Sequence, residues 1–218
     1  MSCSASTPDN RLIMQPLTVI RRLSLPVMLV LLTGCAGLEV PTEGGTWRQR
    51  QAQLAAMDHW QLQGRVNARY YDESHTPRIR WQQRDQDYTI RLWGALNAGA
   101  TLIEGRPGHV TLEQGSEILE ASRPEDLILE HLGYELPVSQ LNYWIKGLPT
   151  PGVDHDLQLG TLNEVLRLEQ SGWSMEYEDY RVFGGYSLPR RIRMERDEEA
   201  ISLQFIGLNW SVDGLVSQ

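Results

Sequence analysis

The side chains that most often carry enzymatic chemistry are sparse in this 218-residue chain, and their spacing does not bring them together. The densest group is Asp154-His155-Asp156, which has the residue types of a metal site. Adjacent residues of a strand point to opposite faces, so three in a row cannot converge on one ion. The spacings H-E-x-x-H, C-x-x-C and G-x-S-x-G do not occur. The sequence therefore predicts no catalytic residue, no metal site and no enzyme.

Covalent attachment is a second kind of chemistry, and it centres on Cys35. Residues 21–35 read RRLSLPVMLVLLTGC, in which two arginines precede a mostly apolar run of 12 residues. This pattern is typical of an export signal, and the run is shorter than the roughly 20 residues that span a bilayer. Its last four residues, Leu32-Thr33-Gly34-Cys35, resemble the bacterial lipobox. That resemblance implies that Cys35 is lipidated and becomes the mature N-terminus. Apart from this lipid, the sequence indicates no cofactor.

The chain divides into three parts. We predict a signal peptide over residues 1–34, a lipidated cysteine and flexible tether over 35–45, and one folded domain over 46–218. Met14 is a second candidate for the start, because the residues before it do not resemble the charged beginning of a signal. Ala36 follows the cysteine, where lipoproteins retained in the inner membrane tend to have Asp, so we expect the outer membrane.

An alternation of apolar and polar residues dominates the folded domain. It begins at WQLQGRVNARY, residues 60–70, and predicts one strand there. Short turns between the alternating segments favour antiparallel pairing. In the last predicted strand the apolar residues shift from odd to even positions, which predicts a bulge near Ile206. Ten further strands are predicted at 79–81, 88–92, 100–102, 110–112, 118–121, 155–159, 162–170, 173–180, 189–195 and 200–210.

Three helices are predicted around these strands. Thr46 and Gln49 have the spacing of a capping box, which predicts a short helix before the first strand. Ser122 and Pro124 begin a second helix, with acidic residues in its first turn. A third is expected over 138–146, ended by Gly147.

Each predicted strand has one apolar face, and the sequence indicates no second layer of strands to cover it. A single sheet can hide such a face by curling on itself. We therefore predict a mainly β fold: a half-open antiparallel β-barrel of about eleven strands, with a helical lid inserted after the sixth strand and an apolar cavity. Two packed sheets would give a similar pattern and stay open as an alternative.

Composition narrows the possible partners. The net charge is −8, whereas a nucleic-acid-binding protein presents a basic surface, so we expect no nucleic acid. The chain has 7 Trp and 8 Tyr but only 2 Phe. Indole and phenol rings suit surfaces that are apolar on one side and wet on the other.

Leu96 is unusual because it stands in the middle of WGALNAGA, residues 93–100, between two predicted strands. Hairpin tips normally carry Gly, Asn, Asp or Pro. A leucine moved from water into lipid gains roughly 1.5–3 kcal/mol, which is too little to anchor a protein but enough to bias a tethered domain toward a bilayer. An ordinary exposed leucine is the other interpretation, because single apolar residues are common on surfaces.

Taken together, several motifs resemble the outer-membrane lipoprotein receptor family LolB. These are the lipobox, WQLQGRVNAR at 60–69, the hairpin with Leu96, YWIKGLP at 143–149 and WSMEYEDY at 173–180. The resemblance extends over essentially the whole mature chain. It implies a half-open barrel closed by helices and a receptor that takes lipoproteins from the soluble periplasmic carrier LolA and places them in the outer membrane.

The resemblance also implies roles for individual residues. It makes Leu96 the residue that inserts cargo, and it makes LolA, lipoprotein acyl chains and the outer membrane the partners of a lipid-anchored protein on the periplasmic face. The tip reads Ala95-Leu96-Asn97 where the family often has Pro-Leu-Gly, which predicts a looser turn. A tethered monomer is the simplest expectation. Five apolar residues are candidates for an acyl cavity, although each also fits an ordinary core position: Trp60, Trp81, Leu92, Trp144 and Ile145.

Two other functions fit the same sequence. The first is an outer-membrane lipoprotein that binds a small apolar ligand without transferring it, in which Leu96 would be dispensable. The second is a scaffold lipoprotein with a filled interior. A fluorescent fatty-acid probe separates the second from the others, because a packed core does not bind it.

Overall fold

The structure is a computed structural model that describes residues 45–132, 136–196 and 200–212. Cys35, Met14, the predicted signal peptide and the tether up to residue 44 lie outside the described residues, and they stay predictions. None of the helices in the described part is long and apolar enough to cross a membrane.

The described residues form three α-helices, a short 3₁₀ turn and fourteen strands. The helices are α1 (Trp47–Ala55), α2 (Pro124–Leu132) and α3 (Val138–Trp144), and the 3₁₀ turn is Ala95–Asn97. The strands are β1 (His59–Tyr70), β2 (Glu73–His75), β3 (Arg78–Arg84), β4 (Asp87–Trp93), β5 (Thr101–Arg106), β6 (His109–Gln114), β7 (Glu117–Ala121), β8 (His155–Leu159), β9 (Val165–Gln170), β10 (Trp173–Glu178), β11 (Arg181–Phe183), β12 (Tyr186–Leu188), β13 (Arg191–Arg196) and β14 (Ile201–Val212).

Eleven strands form one continuous antiparallel path in the order β7-β6-β5-β4-β3-β1-β14-β13-β10-β9-β8. They are the eleven strands predicted from the alternation. Strands β7 and β8 are the two ends of this order, so the sheet does not close on itself. The predicted fold, mainly β with a half-open antiparallel barrel, is confirmed. Three strands of three residues each were not predicted: β2 pairs with β1, and β11 and β12 form a separate hairpin.

The predicted bulge is present in β14 and is matched by a glycine in β1. Gln63 lies opposite Asn209 and Arg65 lies opposite Ile206, so two residues of β14 face the single Gly64. Gly207, one of these two, has φ +63°, a left-handed conformation that glycine adopts without steric cost. A Cβ on Gly64 would lie 2.8 Å from Leu208 Cδ2 and 3.1 Å from the Ile206 carbonyl oxygen, so a larger residue would require the Leu208 side chain or the strand to shift.

The inner face of the sheet holds one hydrophobic core. The buried side chains that form it come from residues 54–210 of the chain. Trp60 lies near its centre, with its ring centroid 5.3 Å from that of Trp81 and 5.3 Å from that of Trp210. Helix α1 contributes Leu54, and its predicted capping box is present, since Thr46 and Gln49 bond reciprocally.

The chain between the two end strands carries α2 and α3, the helices predicted there. Helix α2 packs against β7 and against α3. Helix α3 is fixed to the other side of the opening: Trp144 Nε1 donates to Gln170 Oε1 at 2.8 Å, and Tyr177 Oη donates to the Trp144 carbonyl at 2.9 Å. The helices therefore connect the half of the sheet that ends in β7 with the half that ends in β8.

Substitution Gly64→Ala tests the close approach of β1 and β14. The new methyl group would push against buried Leu208 and the Ile206 carbonyl, so we expect the free energy of unfolding to fall by about 1–3 kcal/mol. Chemical denaturation measures this change. Gln63→Ala is the matched control on the same strand, where we expect a change within about 0.5 kcal/mol. If the two variants are equally stable, the close approach of β1 and β14 does not require glycine at position 64.

Candidate functional site

The hairpin between β4 and β5 presents Leu96 to the outside. The Leu96 side chain is fully exposed, at 103% of its reference area. Gly94 N donates to the Ala98 carbonyl at 2.8 Å, and Ala98 N donates to the Ala95 carbonyl at 3.0 Å. Two backbone hydrogen bonds therefore close the turn on which the leucine stands.

Leu96 also has an uncommon backbone conformation, with φ 53° and ψ 29°. The left-handed region costs a residue with a Cβ roughly 1–2 kcal/mol. An exposed side chain regains none of this cost by burial within the chain. Six other described residues with a Cβ share this conformation, among them the exposed Tyr71, so the conformation is that of a tight turn. What distinguishes Leu96 is the full exposure of its apolar side chain.

The structure brings four of the five candidate cavity residues into the core. Trp60, Trp81, Trp144 and Ile145 are buried, and Leu92 is half-buried near the end of β4. Trp144 packs against Trp173 with 6.3 Å between ring centroids. These contacts show that the residues stabilise the fold, and their contact with acyl chains stays a prediction.

A cavity of about 460 Å³ lies between α3, the end of α1 and the β3–β4 turn. Its volume is within the usual range for small-molecule sites. Among the candidate cavity residues, Trp81 is on its wall, together with Met57 and Val138. Polar groups line the same space, and the exposed residues Asp58 and Asp85 lie at its rim. This cavity is therefore amphipathic.

Lys146 is a buried cation on the wall of this cavity, and its side chain is only 4% exposed. Its Nζ donates to the Met57 carbonyl at 3.3 Å and lies 5.9 Å from the centroid of the Tyr143 ring. Burial lowers the pKa of Lys146 from 10.5 to about 8, and the nearby charge of Asp58 opposes the shift. The sequence prediction missed this residue. Its signal is a lysine placed between apolar residues in Trp144-Ile145-Lys146-Gly147-Leu148.

Two more polar atoms on the same wall are buried without a hydrogen-bond partner among the described residues, Tyr88 Oη and Asn142 Oδ1. Burial, and secondarily the charge of Glu125, raises the pKa of Tyr88 to about 12. The hydroxyl therefore stays protonated at neutral pH and can donate, while the amide oxygen can accept.

A group that could offer three metal ligands exists among the described residues, but it differs from the one considered in the sequence. Asp58, His59 and Asp85 bring one ligand atom each within 4.8 Å of one another, and all three residues are exposed. His59 Nε2 lies 3.3 Å from Asp85 Oδ2, so a contact between these two side chains accounts for the arrangement without a metal ion.

Comparison with known proteins identifies the family. The family described as Outer membrane lipoprotein LolB matches residues 58–210 of this chain. The chain belongs to the LolB family. The match includes the Leu96 hairpin, Lys146 and four of the motifs that suggested the family, and it begins after the lipobox.

Relatives in the LolB family are similar over most of their length. The outer-membrane lipoprotein LolB of Stutzerimonas stutzeri is 37% identical over 194 residues, covering 86% of this chain and 94% of the relative. That of Pseudomonas aeruginosa is 40% identical over 182 residues, covering 80% and 89%. Among solved structures, a LolA superfamily protein from Nitrosomonas europaea superposes with a TM-score of 0.48 at 11% identity, covering 76% of this chain and 91% of that one.

The buried ammonium of Lys146 predicts a pH dependence of stability. The folded chain releases this proton near pH 8 and the unfolded chain near 10.5, so between pH 8 and 10 the unfolded state binds more protons. The free energy of unfolding should therefore rise over this interval, by up to about 2–3 kcal/mol. The buried tyrosines, whose pKa values are raised, act in the opposite direction once the pH approaches 10, the ordinary pKa of tyrosine, so the rise is clearest between pH 8 and 9.

Denaturant titrations at pH 7, 8, 9 and 10 measure this dependence. Lys146→Met keeps the aliphatic stem and removes the proton, so we expect its stability to stay nearly flat up to pH 9 and to fall toward pH 10, where the tyrosines act. A parallel rise in the variant would assign the effect to another group.

Proposed function

We propose that this chain is a lipid-anchored receptor on the periplasmic face of the outer membrane, which accepts lipoproteins from the soluble carrier LolA and inserts their acyl chains into the membrane. Membership of the LolB family supports the location and the cargo. The observation that carries the proposal is Leu96, an apolar side chain held fully exposed at the tip of a closed hairpin.

Anchoring and insertion have different energetic requirements. Lipid on Cys35 would hold the protein at the membrane, because two acyl chains already give stable attachment. Leu96 contributes at most about 1.5–3 kcal/mol when it enters lipid, so its contact is weak and reversible. A weak contact suits a residue that must enter and leave the bilayer once for each cargo molecule.

Transfer by this route needs no chemical step and no nucleotide, and we propose that the chain is not an enzyme. Acyl chains move from carrier to receptor to bilayer if each location binds them more favourably than the one before. The amphipathic cavity beside α3 supports the middle step, since Trp81, Met57 and Val138 offer apolar contact. Tyr88, Asn142 and Lys146 offer hydrogen bonds to the ester and amide groups at the head of an acylated cysteine.

A transfer assay with Leu96→Glu tests the proposal. The mature chain from residue 35, with Cys35→Ala to omit the lipid, is mixed with LolA carrying a fluorescent lipoprotein, and liposomes are then added. We expect Leu96→Glu to accept the cargo at the normal rate but to deliver it to liposomes about tenfold more slowly or worse, because the carboxylate cannot enter lipid. Leu162→Glu, a substitution of an exposed leucine in the β8–β9 turn, is the matched control and should deliver normally.

Other results would overturn parts of the proposal. If the unmodified chain never takes cargo from LolA, the receptor function fails; a fatty-acid probe then separates a ligand-binding lipoprotein from a scaffold with a filled interior. If both leucine variants deliver cargo at the normal rate, Leu96 has no role in insertion. Thermal unfolding of each variant confirms that the comparison is between folded proteins.

A further inference from the structure

Arginines cluster on the outer face of β1, β3 and β4, next to the Leu96 hairpin. Residues that lie directly opposite each other in the sheet share a face, and the register pairs Arg65 with Arg78 and Arg80 with Arg91. Arg78 and Arg80 are two residues apart on β3, so the two pairs are neighbours on the same face. Four positive charges therefore lie on three adjacent strands.

The surroundings of Arg65, Arg78 and Arg80 do not neutralise them. None of the three forms an ion pair with another described residue. The outward-facing positions beside them, along and across the strands, are neutral or basic: Gln61, Gln63, Asn67, Gln82, Thr89, Arg91, Trp93, Gln204 and Ile206. On the other half of the sheet, in contrast, Arg167, Arg190 and Arg191 each pair with a carboxylate. Such a concentration of unpaired positive charge is notable in a chain of net charge −8.

A recess of about 390 Å³ opens on this face at the bulge of β14. Its lining is Gly64, Arg65, Arg78, Ile206 and Gly207. Gly207 has no side chain to fill it, and a Cβ there would meet nothing within 4 Å, while Arg65 and Arg78 form part of its wall. Arginine guanidinium groups bind phosphate with paired hydrogen bonds, so the recess has the composition of a phosphate site.

The arginine cluster borders the hairpin that carries Leu96. Arg78 lies opposite Trp93, the last residue of β4, and Gly94 begins the turn. Trp93 faces outward like the arginines and is half-buried, with the guanidinium of Arg91 5.8 Å from the centroid of its ring. Tryptophan is enriched where membrane meets water. The arginines, the Trp93 ring and the exposed Leu96 therefore lie in this order toward the tip of the hairpin.

We propose that Arg65, Arg78 and Arg80 form a docking surface for the phosphate groups of an anionic phospholipid bilayer. The surface lays the outer face of β1, β3 and β4 against the headgroups and so directs Leu96 into the acyl region. Docking through these arginines adds a step before the proposed membrane insertion, and it rests on that proposed function. A bilayer is favoured over an acidic protein because the cluster continues directly into Trp93 and Leu96, whose apolar surfaces suit lipid.

Vesicle binding tests the docking surface without carrier or cargo. The mature chain with Cys35→Ala is co-sedimented with vesicles of phosphatidylcholine alone or with 30% phosphatidylglycerol. We expect stronger binding to the anionic vesicles, which 0.5 M NaCl abolishes by screening. The triple variant R65Q/R78Q/R80Q should lose this preference, by up to about a hundredfold if each arginine contributes about fivefold.

A second triple variant, R48Q/R106Q/R167Q, is the control for net charge. It removes exposed arginines that lie outside β1, β3 and β4 and should keep the preference for anionic vesicles. Circular dichroism and thermal unfolding establish that both variants are folded. Equal loss in both variants, or no loss in R65Q/R78Q/R80Q, would overturn the docking surface.

Transfer from LolA to the receptor is measured with the same proteins. If R65Q/R78Q/R80Q binds vesicles normally but fails to take cargo, the arginines dock the carrier and the membrane assignment is wrong. If the parent chain takes no cargo at all but prefers anionic vesicles through these three arginines, the receptor function fails and the docking surface stands.

Discussion

A sheet with one apolar face and two unpaired ends requires something other than strands to complete it, and the rest of this structure follows from that requirement. The apolar sides of eleven strands curl around one core, but β7 and β8 never meet. The segment between them in the chain supplies α2 and α3, which cover the opening. Trp144, bonded to Gln170 through its ring and to Tyr177 through its carbonyl, fixes α3 to the far half of the sheet. Side-chain contacts thus replace the backbone ladder that a closed barrel would have.

In this arrangement the inner face of the sheet forms the packed core, whereas the Leu96 hairpin and the arginine cluster lie on the outside. Inside, the tryptophans pack against one another with tilted rings, and the cavity beside α3 combines apolar walls with polar atoms of Tyr88 and Asn142 that have no hydrogen-bond partner among the described residues. Outside, the hairpin tip and the arginine cluster lie at the same end of β4. In the membrane contact that we propose, each of these residues contributes weakly, so the protein can leave a surface as readily as it approaches.

Much of the fold could be predicted from the sequence because its strands are long enough to show their period. The eleven strands, the capping box at Thr46 and the bulge beside Gly207 all follow from local patterns. Strands β2, β11 and β12 were missed because each has only three residues and at most one buried side chain, so no apolar face marks them. The motif in which Lys146 lies was recognised, yet its burial depends on how α3 packs, which no local pattern contains. The arginine cluster likewise depends on cross-strand register, since Arg65 and Arg78 are distant in sequence.

The open ends of the sheet also bear on solubility at high protein concentration. An exposed edge strand offers unpaired N–H and C=O groups to any other strand, which is the usual first step of edge-to-edge aggregation. Here β7 carries Glu117 and Glu120 and β8 carries Asp156, all of them exposed. When two copies bring equivalent edges together, carboxylates approach carboxylates, and like charges on facing strands disfavour the pairing. Although Ile118 on β7 is also exposed, the carboxylates on both end strands disfavour edge-to-edge association of copies.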